Sequence, residues 1–379
     1  MKITVAKSAG FCFGVNRAVQ MVFELLDEGK RVCTLGPIIH NPQTLQVLAA
    51  RGVQIVEAPK DAPKDATLVI RSHGVSEAVL DEIRRLKLAY VDATCPFVAK
   101  IHRIVSDASA KGQTVLIAGN ATHPEVEGIR GHCQACYVFK DAKELENLTN
   151  DFPELKNRPS CFVAQTTFSV AEWENCLEII KKVYTNATIF DTICNATAKR
   201  QSEAVELAKK SDLMIIIGGK HSSNTAKLYD VCKPHCVTYL IETAQELPVA
   251  QVKAAKNVGI TAGASTPASI IKEVLVTMTD IKAGEGHFEE NTELSFAEML
   301  EESLKSLNTD EKVRGVVVGI APNEIQVDVG RKQAGFVPAS ELSSDPNAKP
   351  EDIVKIGDEI ELLIMRTNDQ EGTIMLSKK

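Results

Sequence analysis

With 379 residues, of which 25% are charged and 5% aromatic, the chain exceeds the usual size of a single core, and its few rings exclude a large stacking surface. A formal net charge of -7 excludes a global attraction to nucleic acid or to an anionic membrane, so any anionic ligand needs a local site. The first residues, Met1-Lys2-Ile3-Thr4-Val5, lack the apolar core of a signal peptide, and no apolar run approaches the ~18 residues of a membrane span, so a cytoplasmic, multi-domain protein without membrane contact is expected.

The first strand-like run, Ile3-Thr4-Val5, leads through Cys12 into a helical pattern from Val15 to Leu26. The same unit recurs twice. Ala89-Tyr90-Val91 leads through Cys95 into Val98 to Ala110, and Thr188-Ile189-Phe190 leads through Cys194 into Thr197 to Lys210. Between these units the chain alternates strand, polar loop and helix, with strand-like runs at Arg31 to Leu35, Leu68 to Arg71, Thr114 to Ala118, Cys161 to Ala164, Leu213 to Ile217 and Val258 to Thr261. Two loops fall to each cysteine, and divisions near residues 94 and 193 give three α/β sub-domains in a pseudo-threefold arrangement: about 13–94, 95–193 and 194–282, with the N-terminal strand packing centrally.

The loops that follow these strands carry imidazoles, hydroxyls and amides: His40-Asn41, Ser72-His73, His123-Pro124-Glu125, Gln165-Thr166-Thr167, Ser222-Ser223-Asn224 and Ser265. Ligands bind at such carboxyl ends of strands, and helix N-termini with nearby glycines suit a phosphate. Glu125 is the only carboxylate among the loop residues and suits proton delivery, although a first-turn glutamate favoured by the helix dipole has the same appearance. Arginine, which carboxylate-binding sites favour, is absent from the loops apart from Arg71. Three thiolates without a fourth protein ligand suit an iron-sulfur cluster with one iron open to substrate. His132-Cys133-x2-Cys136 and Cys232-x3-Cys236 have metal-like spacing, but neither has a matching second pair, and spare thiols are expected there.

Gly10-Phe11-Cys12-x-Gly14-Val15, Asp92-Ala93-Thr94-Cys95-Pro96, His123-Pro124-Glu125-Val126-Glu127-Gly128, Ile193-Cys194-x-Ala196-Thr197 and the loop motifs above resemble, in order, those of the 4-hydroxy-3-methylbut-2-enyl diphosphate reductase (LytB) family, across about residues 1 to 281. The resemblance implies a reductive dehydroxylation giving isopentenyl and dimethylallyl diphosphates, the last step of the methylerythritol phosphate route to isoprenoids. It assigns Cys12, Cys95 and Cys194 to a 4Fe-4S cluster whose fourth iron has no protein ligand. His40, His73, His123, Ser222, Ser223, Asn224 and Ser265 would hold the diphosphate, Glu125 would supply protons, and Thr166 would position the substrate hydroxyl. Reduced ferredoxin or flavodoxin would be the electron donor.

From Ala283 to Asp310 the chain is acidic and reads as a linker, 283–310, ending in a helix-like stretch from Leu294 to Leu307. Residues 311–379 then hold five short strand-like runs with glycine punctuation, which suits a small all-β barrel of the OB type. Val327-Asp328-Val329-Gly330, Gly335-Phe336-Val337-Pro338 and Ile374-Met375-Leu376-Ser377 resemble the S-one-type RNA-binding motif of a ribosomal protein family. Gln326 and Pro338 stand where RNA-binding members often carry aromatic or imidazole rings, leaving Phe336 as the stacking platform. This region has nine Lys or Arg against twelve Asp or Glu, so RNA or ribosome binding through it would be weak. Fusions of this kind often carry several barrels in tandem, which suits a chain cut after the first. A second class of function, an RNA-associated sensor of redox state, would not need the full set of phosphate-loop residues.

Overall fold

In the computed structural model the chain forms two compact units, Met1–Ser303 and Leu304–Lys379. The structure describes residues 1–283, 312–321, 324–329, 334–343, 350–355, 358–368 and 373–378. The sequence-based linker from residue 284 onward, with its helix-like stretch, lies outside the described residues.

The first unit opens with β1 (Lys2–Val5) and α1 (Phe13–Asp27). The first sub-domain continues with β2 (Val32–Leu35), α2 (Pro42–Ala50), β3 (Gln54–Val56), β4 (Thr67–Ile70), α3 (Glu77–Arg85) and β5 (Tyr90–Asp92). The second holds α4 (Pro96–Ala110), β6 (Thr114–Ala118), α5 (Pro124–Arg130), β7 (Cys136–Phe139), α6 (Ala142–Asp151), β8 (Ser160–Ala164), α7 (Val170–Val183) and β9 (Ala187–Ile189). The third holds α8 (Asn195–Ala208), β10 (Leu213–Ile217), α9 (Ser223–Cys232), β11 (Val237–Ile241), α10 (Val249–Ala254), β12 (Asn257–Ala262) and α11 (Ala268–Ala283).

Three four-stranded parallel sheets result, ordered β3-β2-β4-β5, β7-β6-β8-β9 and β11-β10-β12-β1. They repeat one topology. The amino-terminal strand, expected to pack centrally, is the edge strand that completes the third sheet, with Lys2 opposite Asn257 and Val5 opposite Ile260. Central strands such as Leu213-Met214-Ile215-Ile216-Ile217 are apolar without alternation because helices cover both faces. Ile215 and Ile217 enter one core with Val258, Ile260 and Val274, while Met214 and Ile216 enter another with Ala204 and Leu228.

The repeat sets the site. Each cysteine caps a helix just after the edge strand of its sheet: Cys12 caps α1, Cys95 caps α4 and Cys194 caps α8. Each cysteine N–H also donates to the loop after the neighbouring strand, Cys12 to Ala264 O at 3.0 Å, Cys95 to Ser72 O at 2.9 Å and Cys194 to Thr166 O at 3.1 Å.

The second unit is a closed barrel of β13 (Lys312–Ala321), β14 (Glu324–Asp328), β15 (Ala334–Pro338), β16 (Glu359–Asn368) and β17 (Thr373–Ser377), in the order β13-β14-β15-β17-β16. β15 and β17 pair in parallel and the other described pairs are antiparallel. Val317, Val327, Val337, Ile364, Ile374 and Leu376 fill it. Closure removes free strand edges, which lets so short a set of strands stand without a covering layer.

Candidate active site

Cys12, Cys95, Cys194, His40, His73 and His123 line one cavity in the first unit, together with Glu125, Thr166 and Ser222 to Asn224. Ser265 lines it as well, so the residues that the resemblance assigns to chemistry or phosphate binding converge on one place, while Asn41 and Gln165 of the same loops are not among the lining residues.

The three thiols are free and partly exposed. Burial pushes the Cys95 thiol up, and negative charge on Cys12 and Cys194 pushes it further, while the N–H groups of Phe97 and Val98 favour its thiolate. Cys194 is raised to about 11, mainly by burial and then by Cys12, against the N–H groups of Ala196 and Thr197. Mutual repulsion of this kind reverses when a cation sits among the sulfurs, because a metal inverts the local charge balance. The donor set therefore fits a thiophilic metal group held by three cysteines. Gly14 secures the space: a Cβ on it would lie 2.5 Å from Cys95 Sγ and 3.0 Å from Cys95 Cβ.

Three imidazoles crowd against one another, with ring centroids 4.8 Å apart for His40 and His73, 5.5 Å for His73 and His123 and 6.1 Å for His40 and His123. Burial first, then the positive charge of neighbouring rings and Arg71, lowers all three; His123 falls to about 4, and His73 lies well below its ordinary range. Without an anion present they are neutral at pH 7. His123 Nδ1 accepts the Glu125 N–H at 3.1 Å, which leaves Nε2–H as its free donor. His40 Nε2, His73 Nδ1 and Asn224 Nδ2 are buried without a hydrogen-bond partner in the protein. Buried polar atoms left in this way mark a binding surface for a polar ligand, since each costs free energy until paired.

Glu125 is buried, 2% exposed, one residue past the start of α5. Its Oε1 accepts the Thr166 N–H at 2.6 Å and its Oε2 accepts the Thr166 hydroxyl at 2.8 Å. Burial raises it to about 7 although both Thr166 bonds pull the other way. Desolvation exceeds hydrogen bonding here, and the carboxyl can both hold and release a proton at neutral pH. Thr166, expected from the family pattern to position the substrate hydroxyl, holds the Glu125 carboxyl in this structure.

Two residues escaped the sequence reading. Arg200, 2% exposed on α8, lines the cavity and donates from Nη2 to Ser8 O at 2.7 Å and Gly10 O at 2.9 Å. Glu203, one turn further, accepts the Lys7 and Ser8 N–H groups at 2.6 and 2.9 Å. The two side chains tie the loop before Cys12 to the helix after Cys194. Thr167 also lines the cavity, and its hydroxyl lies 3.1 Å from Ser223 Oγ, while Gln165 Nε2 donates to it at 3.0 Å. His221 is exposed and not among the lining residues.

The LytB protein family model matches residues 3–279, more than half of the chain, and the S1 RNA binding domain model matches residues 306–379. The chain belongs to the LytB protein family. A Thermoanaerobacter sp. (strain X514) member, named 4-hydroxy-3-methylbut-2-enyl diphosphate reductase, is 42% identical over 292 residues, which is 76% of this LytB chain and 99% of that protein. A Clostridium acetobutylicum reductase of the same name is 35% identical across 386 residues, all of this chain but 58% of that protein. A solved (E)-4-hydroxy-3-methyl-but-2-enyl diphosphate reductase, titled as the terminal enzyme of the non-mevalonate pathway, matches at 38% identity and a TM-score of 0.56, covering 74% of this LytB chain and 99% of that one. The corresponding reductase of Plasmodium falciparum shares the fold at 24% identity and a TM-score of 0.70, over 80% of this chain and 96% of that one.

Proposed function

We propose that the protein reduces (E)-4-hydroxy-3-methylbut-2-enyl diphosphate to isopentenyl and dimethylallyl diphosphates, the last step of the methylerythritol phosphate route. The observation that carries this reading is the convergence of three thiols, three imidazoles and one buried carboxyl on a single cavity, in a chain 42% identical to reductases of that name. Cys12, Cys95 and Cys194 would hold a 4Fe-4S cluster with one iron free of protein ligands, which supplies electrons singly and a Lewis-acidic centre for the substrate hydroxyl.

The chain's own residues do the rest. Imidazole and amide N–H groups of His40, His73, His123 and Asn224, with the hydroxyls of Ser222, Ser223 and Ser265, hold the diphosphate and fix the position of the carbinol carbon. Glu125 carries a proton at neutral pH and delivers it where the leaving oxygen or the new C–H bond requires one. Thr166 keeps that carboxyl in place. Two electrons and two protons enter, the C–O bond breaks, water leaves and a C–H bond forms. Reduced ferredoxin or flavodoxin supplies the electrons.

Among the described residues no helix is long and apolar enough to cross a membrane, and a cytoplasmic location suits a biosynthetic enzyme with small-molecule substrates. In the barrel, Phe336 stands opposite Gln326 on one side and Met375 on the other. One ring on a net acidic barrel supports weak single-strand RNA binding at most. Turnover under nitrogen, with reduced methyl viologen and the hydroxylated butenyl diphosphate, tests the proposed reaction. Both isomeric diphosphates are expected as products, and a cluster-loaded protein that yields neither overturns the assignment.

A further inference from the structure

The Arg200 side chain carries a positive charge that no step of the proposed reaction uses. It is 2% exposed in the second turn of α8, the helix that Cys194 caps, and it lines the cavity together with Cys12 and Cys194. Its Nε and Nη2 donate to Ser8 O at 3.0 and 2.7 Å, and Nη2 also donates to Gly10 O at 2.9 Å, two residues before Cys12. Nη1 is buried without a hydrogen-bond partner. One guanidinium thus joins the approach to Cys12 to the helix after Cys194 and keeps a donor free.

The bonds it makes go to uncharged carbonyl oxygens. The Glu203 carboxylate, a turn further along α8, is engaged by the Lys7 and Ser8 N–H groups and by the Ser8 hydroxyl. A buried cation with neutral acceptors alone is costly, and such a group is stable where an anion comes to it. Three thiolates bring negative charge to the same cavity, and each electron taken up by a metal group among them adds one more unit. Burial pulls the guanidinium below its ordinary value, whereas negative charge on Cys12 and then Cys194 pulls it back, ahead of Glu203. Reduction potentials of thiolate-held iron-sulfur groups follow net charge and the hydrogen bonds to sulfur.

We propose that Arg200 is a positioning residue for the metal group of the three thiols: its fixed positive charge and free Nη1–H stabilise the reduced state, and its other bonds hold the Cys12 loop against α8. This role rests on the reading of Cys12, Cys95 and Cys194 as cluster ligands. Electrons then arrive singly, so a charge that eases the first reduction sets how strongly reducing the donor must be.

The test is a potentiometric titration of the full-length, cluster-loaded protein under nitrogen, with the reduced cluster read by electron paramagnetic resonance and iron and sulfide measured per chain. Arg200→Gln removes the charge, and its reduction equilibrium is expected to shift at least ~10-fold toward the oxidised form, about 59 mV for one electron. Arg200→Lys keeps the charge but not the planar fork, and should stay within about threefold of the parent. Both variants break the bonds to Ser8 O and Gly10 O, so a purely structural role would move both alike. Loss of iron from Arg200→Gln with retention in Arg200→Lys shows the same need for charge. Equal potentials in Arg200→Gln and the parent, or equal shifts or equal iron loss in both variants, overturn the proposal. A parent protein that takes up no cluster overturns the cluster reading itself, and the role of Arg200 with it.

Discussion

Glu125 carries the chemistry of a buried carboxyl held close to neutrality, and the sign of its shift gives two predictions. Its folded value, about 7 against an ordinary 4.5, favours the neutral form, so the stability it contributes is fully present below about pH 4.5 and is lost as pH rises through about 7. Glu125→Gln removes that titration. The unfolding free energy of the variant relative to the parent should rise by about 2–3 kcal/mol between pH 5 and pH 8, read from denaturation curves at both values. An unchanged difference would show that the carboxyl is ionised throughout. The imidazoles have the opposite sign: their folded values are lowered, so their contribution is present above about 6.5 and is lost as pH falls. A diphosphate among them should draw protons onto the rings. Calorimetric binding of inorganic pyrophosphate in two buffers of different ionisation enthalpy should therefore show net proton uptake at pH 7. His73→Ala should weaken that binding roughly 10- to 100-fold, as for a hydrogen bond to a charged group, and leave the cluster spectrum unchanged.

At the scale of elements, the helix N-termini and their glycines decide whether three cysteines become one site. Gly14→Ala places a methyl 2.5 Å from Cys95 Sγ, so it should lower bound iron and sulfide per chain, whereas Gly29→Ala meets nothing within 4 Å and should cost only the strain of its left-handed backbone. That strain is about 1–2 kcal/mol. Iron and sulfide analysis of the two variants separates the effects. The same scale shows what the sequence could reveal. The three cysteine units and six loops were legible because a strand ending in small or polar residues before a helical pattern needs no tertiary information. The edge strands β3, β7 and β11 were not singled out: β3 has three residues, and Ile55 of β3 and Val237 of β11 are exposed at 45% and 56%, so these strands lack the full burial that marks the central ones. Arg200 stands between Lys199 and Gln201 in a polar stretch of α8, and only the return of the Ser8 to Gly10 loop shows that its guanidinium is buried. The Thr166 to Glu125 bonds likewise join residues 41 apart, a pairing that no local pattern contains.

At the scale of the whole molecule, the Thermoanaerobacter relative is matched over 99% of its length by 76% of this chain, so that reductase is complete without a barrel. Residues 1–303 alone should keep kcat/KM within about twofold of the full chain, as expected of a domain with its own core. Single-strand RNA retention on filters should be confined to protein containing residues 304–379 and should fall as salt rises. In the proposed reaction one cavity couples a metal group on the three thiols to a proton on Glu125. The most direct test is anaerobic turnover of Glu125→Gln beside the parent protein, with the visible and Mössbauer spectra of both recorded. An intact cluster signal is expected, with turnover reduced about 10²- to 10⁴-fold. Parent-like turnover in the variant, or loss of the cluster together with activity, would contradict it.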